Sequence, residues 1–258
     1  MVRSLLPRGF VAVLALVFGL VSSIRVGQSC GSSRNDRGLD RRFQIGRHRG
    51  SLMVSIREPI LHSIAIDDLR PTQITVGMRE VEAKRKEWRT RDGDKGAEFL
   101  GRHMIPVILG PKDRHYVIDH HHLARALHDE GVKKVLVTIV ANLRRLEPDA
   151  FWFVLDNHSW MHPFDDAGRR HGYGDIPKSI KDLIDDPFRS LAGELRRVGG
   201  FAKDTTPFSE FLWADFLRRR MKRKIVETRF DAALGQALKL AKSADADYLP
   251  GWCGPVAR

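Results

Sequence analysis

The chain has 258 residues, 42% of them apolar and 29% charged, which fits one fair-sized globular domain, or a domain with an elaboration, and excludes a low-complexity or fibrous protein. The formal net charge of +12 is unevenly spread: residues 1–52 hold nine Arg, no Lys and two acids, so the rest of the chain is only mildly basic. Global charge is therefore a weak argument for nucleic-acid binding, and local anion sites are the better expectation. Two cysteines, Cys30 and Cys253, lie near opposite ends without metal-ligand spacing, which argues against a disulfide framework and fits a reducing, cytoplasmic compartment.

Residues 10–24 form an apolar run behind Arg3 and Arg8. It reads like the core of a secretory signal peptide, which would make the protein an exported one, and it is short for a membrane span. The Arg-, Gly- and Ser-rich stretch after it shows no periodicity, and Met53 offers an alternative start. Residues 1–52 are accordingly set apart from the fold, and no stable membrane association is expected.

Alternation places a short strand at Leu61–Ile66, followed by an extended or turning segment, Leu69–Gln73, in which Pro71 keeps Arg70 out of the helical region. Residues 79–89 are charged helix formers and predict an exposed helix. Met104–Leu109 and His115–Ile118 read as two strands joined by the turn cluster Gly110–Arg114, a β-hairpin. After Asp119 the spacing becomes helical, with Gly131 as the stop, and Val135–Val140 is a β-branched strand. The second half reads as helices. One starts near Pro148. Asp186-Pro187 has the form of a cap and first residue, with Gly199-Gly200 as the end. Thr206-Pro207 repeats the start signal, and residues 229–242 close the series. The stretch between Asp156 and Asp175 is loop-like. The fold class is α+β: a small mixed sheet with helices over 53–145, then a helical region over 146–258.

The chemistry concentrates at Asp119-His120-His121-His122, where a strand hands over to a helix. The first helical turn presents unpaired N–H groups and the positive end of the dipole, so a phosphate binds there readily. Imidazoles can donate to phosphate oxygens or move a proton, and Arg125, one turn on from His121, could reach the same anion. Asp119 could cap the helix, hold a cation or serve as a base. Three adjacent histidines cannot all face one way. A histidine–metal site drawing on His158, His162 or His171 lacks diagnostic spacing, so no metal ligand set is assigned.

The passage from Ile64 to Val140 resembles the N-terminal domain of the ParB/sulfiredoxin superfamily, and within it the ParB-like nuclease group. Ile66-Asp67-Asp68-Leu69-Arg70-Pro71-Thr72-Gln73 is similar to the family's opening strand and its L-x-P-T turn. Tyr116 to Leu127 is similar to its central box, Y-x-I-D-G-H-H-R-x-x-A-L. Asp186–Leu191 and Phe211–Phe216 resemble the C-terminal part of the same group. The resemblance implies nucleotide binding with divergent reactions: partition proteins hydrolyse CTP and clamp DNA, sulfiredoxin uses ATP and a box cysteine, and a free-serine kinase uses the box histidine pair. Fold alone does not choose among these.

Departures from the pattern narrow the choice. The box has no Cys, which disfavours sulfiredoxin chemistry. It carries His where the partition box is Arg-rich, and Leu191–Leu195 is a poor helix-turn-helix. Gln73 stands where kinase-like members carry Glu, with Glu80 or Glu82 as substitutes. Leu123 replaces the Arg after the His pair, and His120 replaces the Gly before it. The resulting expectation is a nucleotide or phosphorylated small molecule, with Mg²⁺, handled by phosphoryl chemistry (nuclease, nucleotide hydrolase or small-molecule kinase). Asp119, His121, His122 and Glu80 are the candidate catalytic residues. Arg70, Thr72, Gln73, Lys84, His120 and Arg125 are the candidate phosphate contacts. The alternative is a non-catalytic nucleotide- or DNA-binding module that uses the basic run Arg218–Lys224 on the DNA backbone.

Overall fold

The computed structural model describes residues 62–90 and 94–255. The expectations for residues 1–52 and for Leu61 lie outside these.

Five strands form one sheet. They are β1 (His62–Ala65), β2 (Leu69–Pro71), β4 (Ile105–Gly110), β5 (Arg114–Val117) and β6 (Lys134–Asn142), and β3 (Thr75–Val76) lies outside this sheet. Their order is β1-β6-β4-β5-β2. The β4–β5 hairpin is antiparallel, as is β1 on β6, while β6 runs parallel to β4 and β2 parallel to β5. A register shift between Val107 and Ile108 marks a bulge against β6.

Side chains alternate between the two faces of the sheet. Ile105, Val107, Val117, Val135 and Val137 face one core with Val81 of α1 (Met78–Arg89), Phe99 of α2 (Asp94–Arg102) and Leu123, Ala124 and Leu127 of α3 (His121–Asp129). Ile108 and Tyr116 face the other, against Phe151 and Leu155 of α4 (Pro148–Asn157). Each core excludes water from several large apolar side chains, each such burial contributing about 1.5–3 kcal/mol.

The C-terminal half is tied to the N-terminal one through a separate two-stranded sheet. β3 pairs in parallel with β7 (Ile184–Asp185). Asp186 then caps α5 (Pro187–Arg197) by accepting from the Phe188 amide at 2.9 Å, as the Asp-Pro start signal predicts. α5 packs with α6 (Ser209–Arg218), α7 (Arg223–Thr228) and α8 (Phe230–Ala241) around Leu191, Leu195, Trp213, Phe216 and Ala237. α5 also touches α1, carrying the C-terminal half onto the N-terminal one.

Most predicted elements are present. The differences have local causes. α2 and α7 are short helices that the pattern reading did not include. Pro207 does not start α6: the helix begins two residues later, and Phe208 takes the N-cap position with φ of 58°. Gly131 and Gly199 adopt left-handed backbone at the ends of α3 and α5, as their stop signals imply. Among the described residues no helix is long and apolar enough to cross a membrane.

Candidate functional site

The turn between β5 and α3 has an unusual start. A helix N-cap ordinarily has extended backbone and a side-chain oxygen that accepts from the first turn. Here the N-cap is His120, in left-handed conformation (φ 63°, ψ 26°), and no side chain caps the helix. Asp119 is not the cap: its carboxylate is used one residue early, accepting from the His120 amide at 2.7 Å. The left-handed backbone explains the family preference for Gly at this position, and His is among the residues that tolerate it best. Asp119 is exposed, and the His120 Nδ1 is buried without a partner.

His121 and His122 turn inward. Both are buried, at 4% and 9% exposure. The Thr72 amide donates to His121 Nε2 at 3.2 Å, and the Gly77 amide donates to His122 Nε2 at 3.0 Å. The Thr72 hydroxyl donates to the Val117 carbonyl at 2.7 Å. The hydrogen-bond pattern assigns both rings as neutral, with the proton on Nδ1. Burial, with the His122 and His120 charges in support, pushes the His121 pKa down to about 3. Burial, then Arg189, takes His122 down to about 3 as well, against the opposing pull of Glu80. The expectation that both imidazoles contact phosphate is corrected on this point: their Nε2 atoms hold the segment Thr72–Gly77 against α3. Gly77 is required where it stands, because a Cβ there would come within 2.7 Å of Ser190 Oγ.

The other sequence candidates divide. Glu80 joins the cluster: its Oε2 lies 3.7 Å from His122 Nε2 and 3.3 Å from Arg189 Nη1. Burial works to raise its pKa, but His122, Arg189, Arg197 and Lys84 together hold it at about 2. A carboxylate so acidic is a weak general base near neutral pH. Lys84 sits one turn along α1 and pairs with Glu87 at 3.7 Å. Gln73 is buried, and its amide donates to the Thr75 carbonyl at 2.7 Å. Arg70 and Arg125 do not join the cluster: Arg70 donates to the Lys178 carbonyl, and Arg125 to the Leu183 carbonyl at 2.8 Å and to Asp129. Both guanidiniums fasten the loop ahead of β7.

Arg189 is the residue that pattern reading passed over. Its signal was a lone Arg in the buried first turn of the helix that Asp186-Pro187 announces. His162 was read as a loop residue. Its ring packs at a tilt on Phe211 and stacks on Phe164, at 3.9 and 4.5 Å between centroids, and its amide donates to the Thr72 carbonyl at 2.9 Å. Burial, then Arg189 and Arg218, holds its pKa at about 3. The basic run is largely neutralised. Arg218 pairs with Asp186 at 2.6 Å, Arg219 with Asp215 at 2.8 Å, and Arg223 with Glu227 and Asp166. Among the described residues no group of three or more His, Cys, Asp or Glu is arranged to hold a metal ion.

A mixed sheet with a box turn leading into a buried helix, followed by helices that close over it, defines a ParB-like domain. The family described as "Putative ParB-like nuclease" matches residues 62–219, and the chain belongs to that family. Protein Atu1540 from Agrobacterium tumefaciens, known from a crystal structure, is 58% identical; the likeness covers 76% of this chain and 99% of that one, with a TM-score of 0.71. The C-terminally truncated chromosome-partitioning protein ParB from Caulobacter crescentus, crystallised with CTP-γ-S, is 14% identical over 72% of this chain and 93% of its own, with a TM-score of 0.27. No curated protein matches.

Proposed function

We propose that this ParB-like protein binds a nucleotide or other phosphorylated small molecule through its phosphate, at the start of α3. The observation that carries the reading is the bare helix start: His120 in left-handed conformation, no side-chain cap, and a shielded His120 Nδ1 without a partner. Free first-turn amides and the helix dipole together favour an anion. Asp119, exposed beside them, is the group placed to share a Mg²⁺ with phosphate oxygens or to take a proton. Hydrolysis and transfer to a small acceptor are the reactions in keeping with this arrangement, since phosphoryl transfer depends chiefly on positioning and charge neutralisation. His121 and His122 act in this reading by fixing the turn, with the buried Thr72 and Gln73 holding the segment they grip. The DNA-binding alternative is the weaker one, because Arg218, Arg219 and Arg223 of the run 218–224 already have acidic partners.

The test is a thermal-shift series with inorganic phosphate and nucleoside di- and triphosphates, with and without Mg²⁺. A ligand at a hundredfold its Kd adds about 2.7 kcal/mol, or roughly 5–10 °C for a domain of this size. Stabilisation by at least one phosphate compound, lost on Asp119→Ala only in the presence of Mg²⁺, is the expected result. A flat series across all of them overturns the proposal.

A further inference from the structure

The start of α5 carries a buried cation that the protein itself satisfies only in part. Arg189 is 8% exposed. A guanidinium has five N–H donors, and a buried one ordinarily grips a carboxylate with two of them at about 2.7–2.9 Å. Arg189 instead offers Nη1 to one oxygen of Glu80 at 3.3 Å, while its Nε is buried with no partner. One face of the group lies over the Phe211 ring, 5.3 Å from its centroid. Gly193, one turn further along α5, keeps the space open: a Cβ there would lie 3.2 Å from both Arg189 Nη1 and Glu80 Oε2.

Glu80 is the more exposed partner, with 26% of its side chain in solvent against 10% for Arg189. It covers the guanidinium from outside. Lys84 and Arg197 also act on this carboxylate, so the cover sits in a cationic surround. The same Oε2 lies beside His122, which places Arg189 within one carboxylate's reach of the α3 turn.

We propose that Arg189 is an oxyanion subsite for a phosphate group, and that the Glu80 carboxylate is its resident stand-in. A phosphate that displaces Glu80 presents several oxygens to the fork and can engage Nε as well as the terminal nitrogens, which a carboxylate anchored on α1 does not do. This rests on the reading that the ligand carries phosphate, and it adds a second contact point contributed by the C-terminal half.

Calorimetric titration of the full chain with pyrophosphate, inorganic phosphate and a nucleoside triphosphate tests it in three forms: unaltered, Glu80→Gln, and the double variant Glu80→Gln with Arg189→Met. The double variant removes both charges together, so its loss of binding is not that of a carboxylate left without its cation, and Arg189→Lys supplies a second variant that keeps the charge without the fork. Glu80→Gln is expected to tighten pyrophosphate about tenfold. The double variant is expected to lose that gain and a further 10- to 100-fold, and Arg189→Lys to recover only part. Equal affinities in Glu80→Gln and the double variant overturn the subsite while leaving the α3 reading intact. Binding that appears only in Glu80→Gln and vanishes with Arg189 supports the subsite and removes the α3 reading. No binding in any form removes both. A triphosphate that binds more tightly than inorganic phosphate, both depending on Arg189, identifies a nucleotide tail rather than free phosphate as the ligand.

Discussion

Helices α3 and α5 both begin where extended chain turns, and they finish that turn with opposite chemistry. At α5 the cap is closed: the Asp186 side chain takes the Phe188 amide and Arg218, and Pro187 brings no amide to satisfy. At α3 the cap is open, with its nearest carboxylate spent on the preceding amide and its two histidines turned in to grip a different segment. One start is a joint between elements. The other is held rigid from behind and left free in front, which is how a ligand-binding turn is best supported. The contrast shows that a run of histidines in a box can fix a turn from behind without lining it.

Acid separates the two starts with the largest effect. His121, His122 and His162 are each held near 3, against 6.5 for an unburied ring. The unfolded chain therefore binds more protons than the folded one between about pH 3 and 6.5. Stability is full above that window and is lost as the pH falls through it. Each ring contributes about 2 kcal/mol of loss between pH 7 and 5. Urea denaturation at the two pH values checks this, and a flat profile would mean the rings are not buried neutral. Glu80, held at about 2, adds loss only below about pH 4.5.

Asp186→Ala strikes the closed start. It removes a cap and leaves Arg218 without its closest carboxylate, a loss of about 3–5 kcal/mol. A drop under 1 kcal/mol in the same denaturation assay would show that α5 does not depend on that joint. His122→Ala loosens the open start from behind, leaving the Gly77 amide without its acceptor at a cost of about 2–3 kcal/mol. Hydrogen exchange should then speed up across Thr72–Gly77 before it does in α5. The smallest effect belongs to His120→Gly, which relieves left-handed strain and stabilises the fold by about 1 kcal/mol. A lower melting temperature for that variant would mean the His120 ring packs rather than rims the turn.

The sheet was legible because β4 and β6 are short apolar and β-branched runs bounded by turn residues, and the box turn because a strand-to-helix change of period marks it. The inward turn of His121 and His122 was not legible. Their partners are backbone amides at Thr72 and Gly77, which carry no side-chain signature. Arg189 was hidden for a related reason: its carboxylate is 109 residues away, and the parallel pairing of β3 with β7 and the packing of α1 on α5 bring the two together. Pro207 misled because Phe208 accepts a left-handed backbone that sequence reasoning would reserve for Gly or Asn.

That short β3–β7 ladder also sets when the site comes into being. It joins positions more than a hundred residues apart, so its closure waits until the chain through Asp185 has left the ribosome. A nascent chain displaying the complete β4–β5–β6 sheet still lacks Arg189 opposite Glu80. A product terminated before α5 would have the sheet without Arg189.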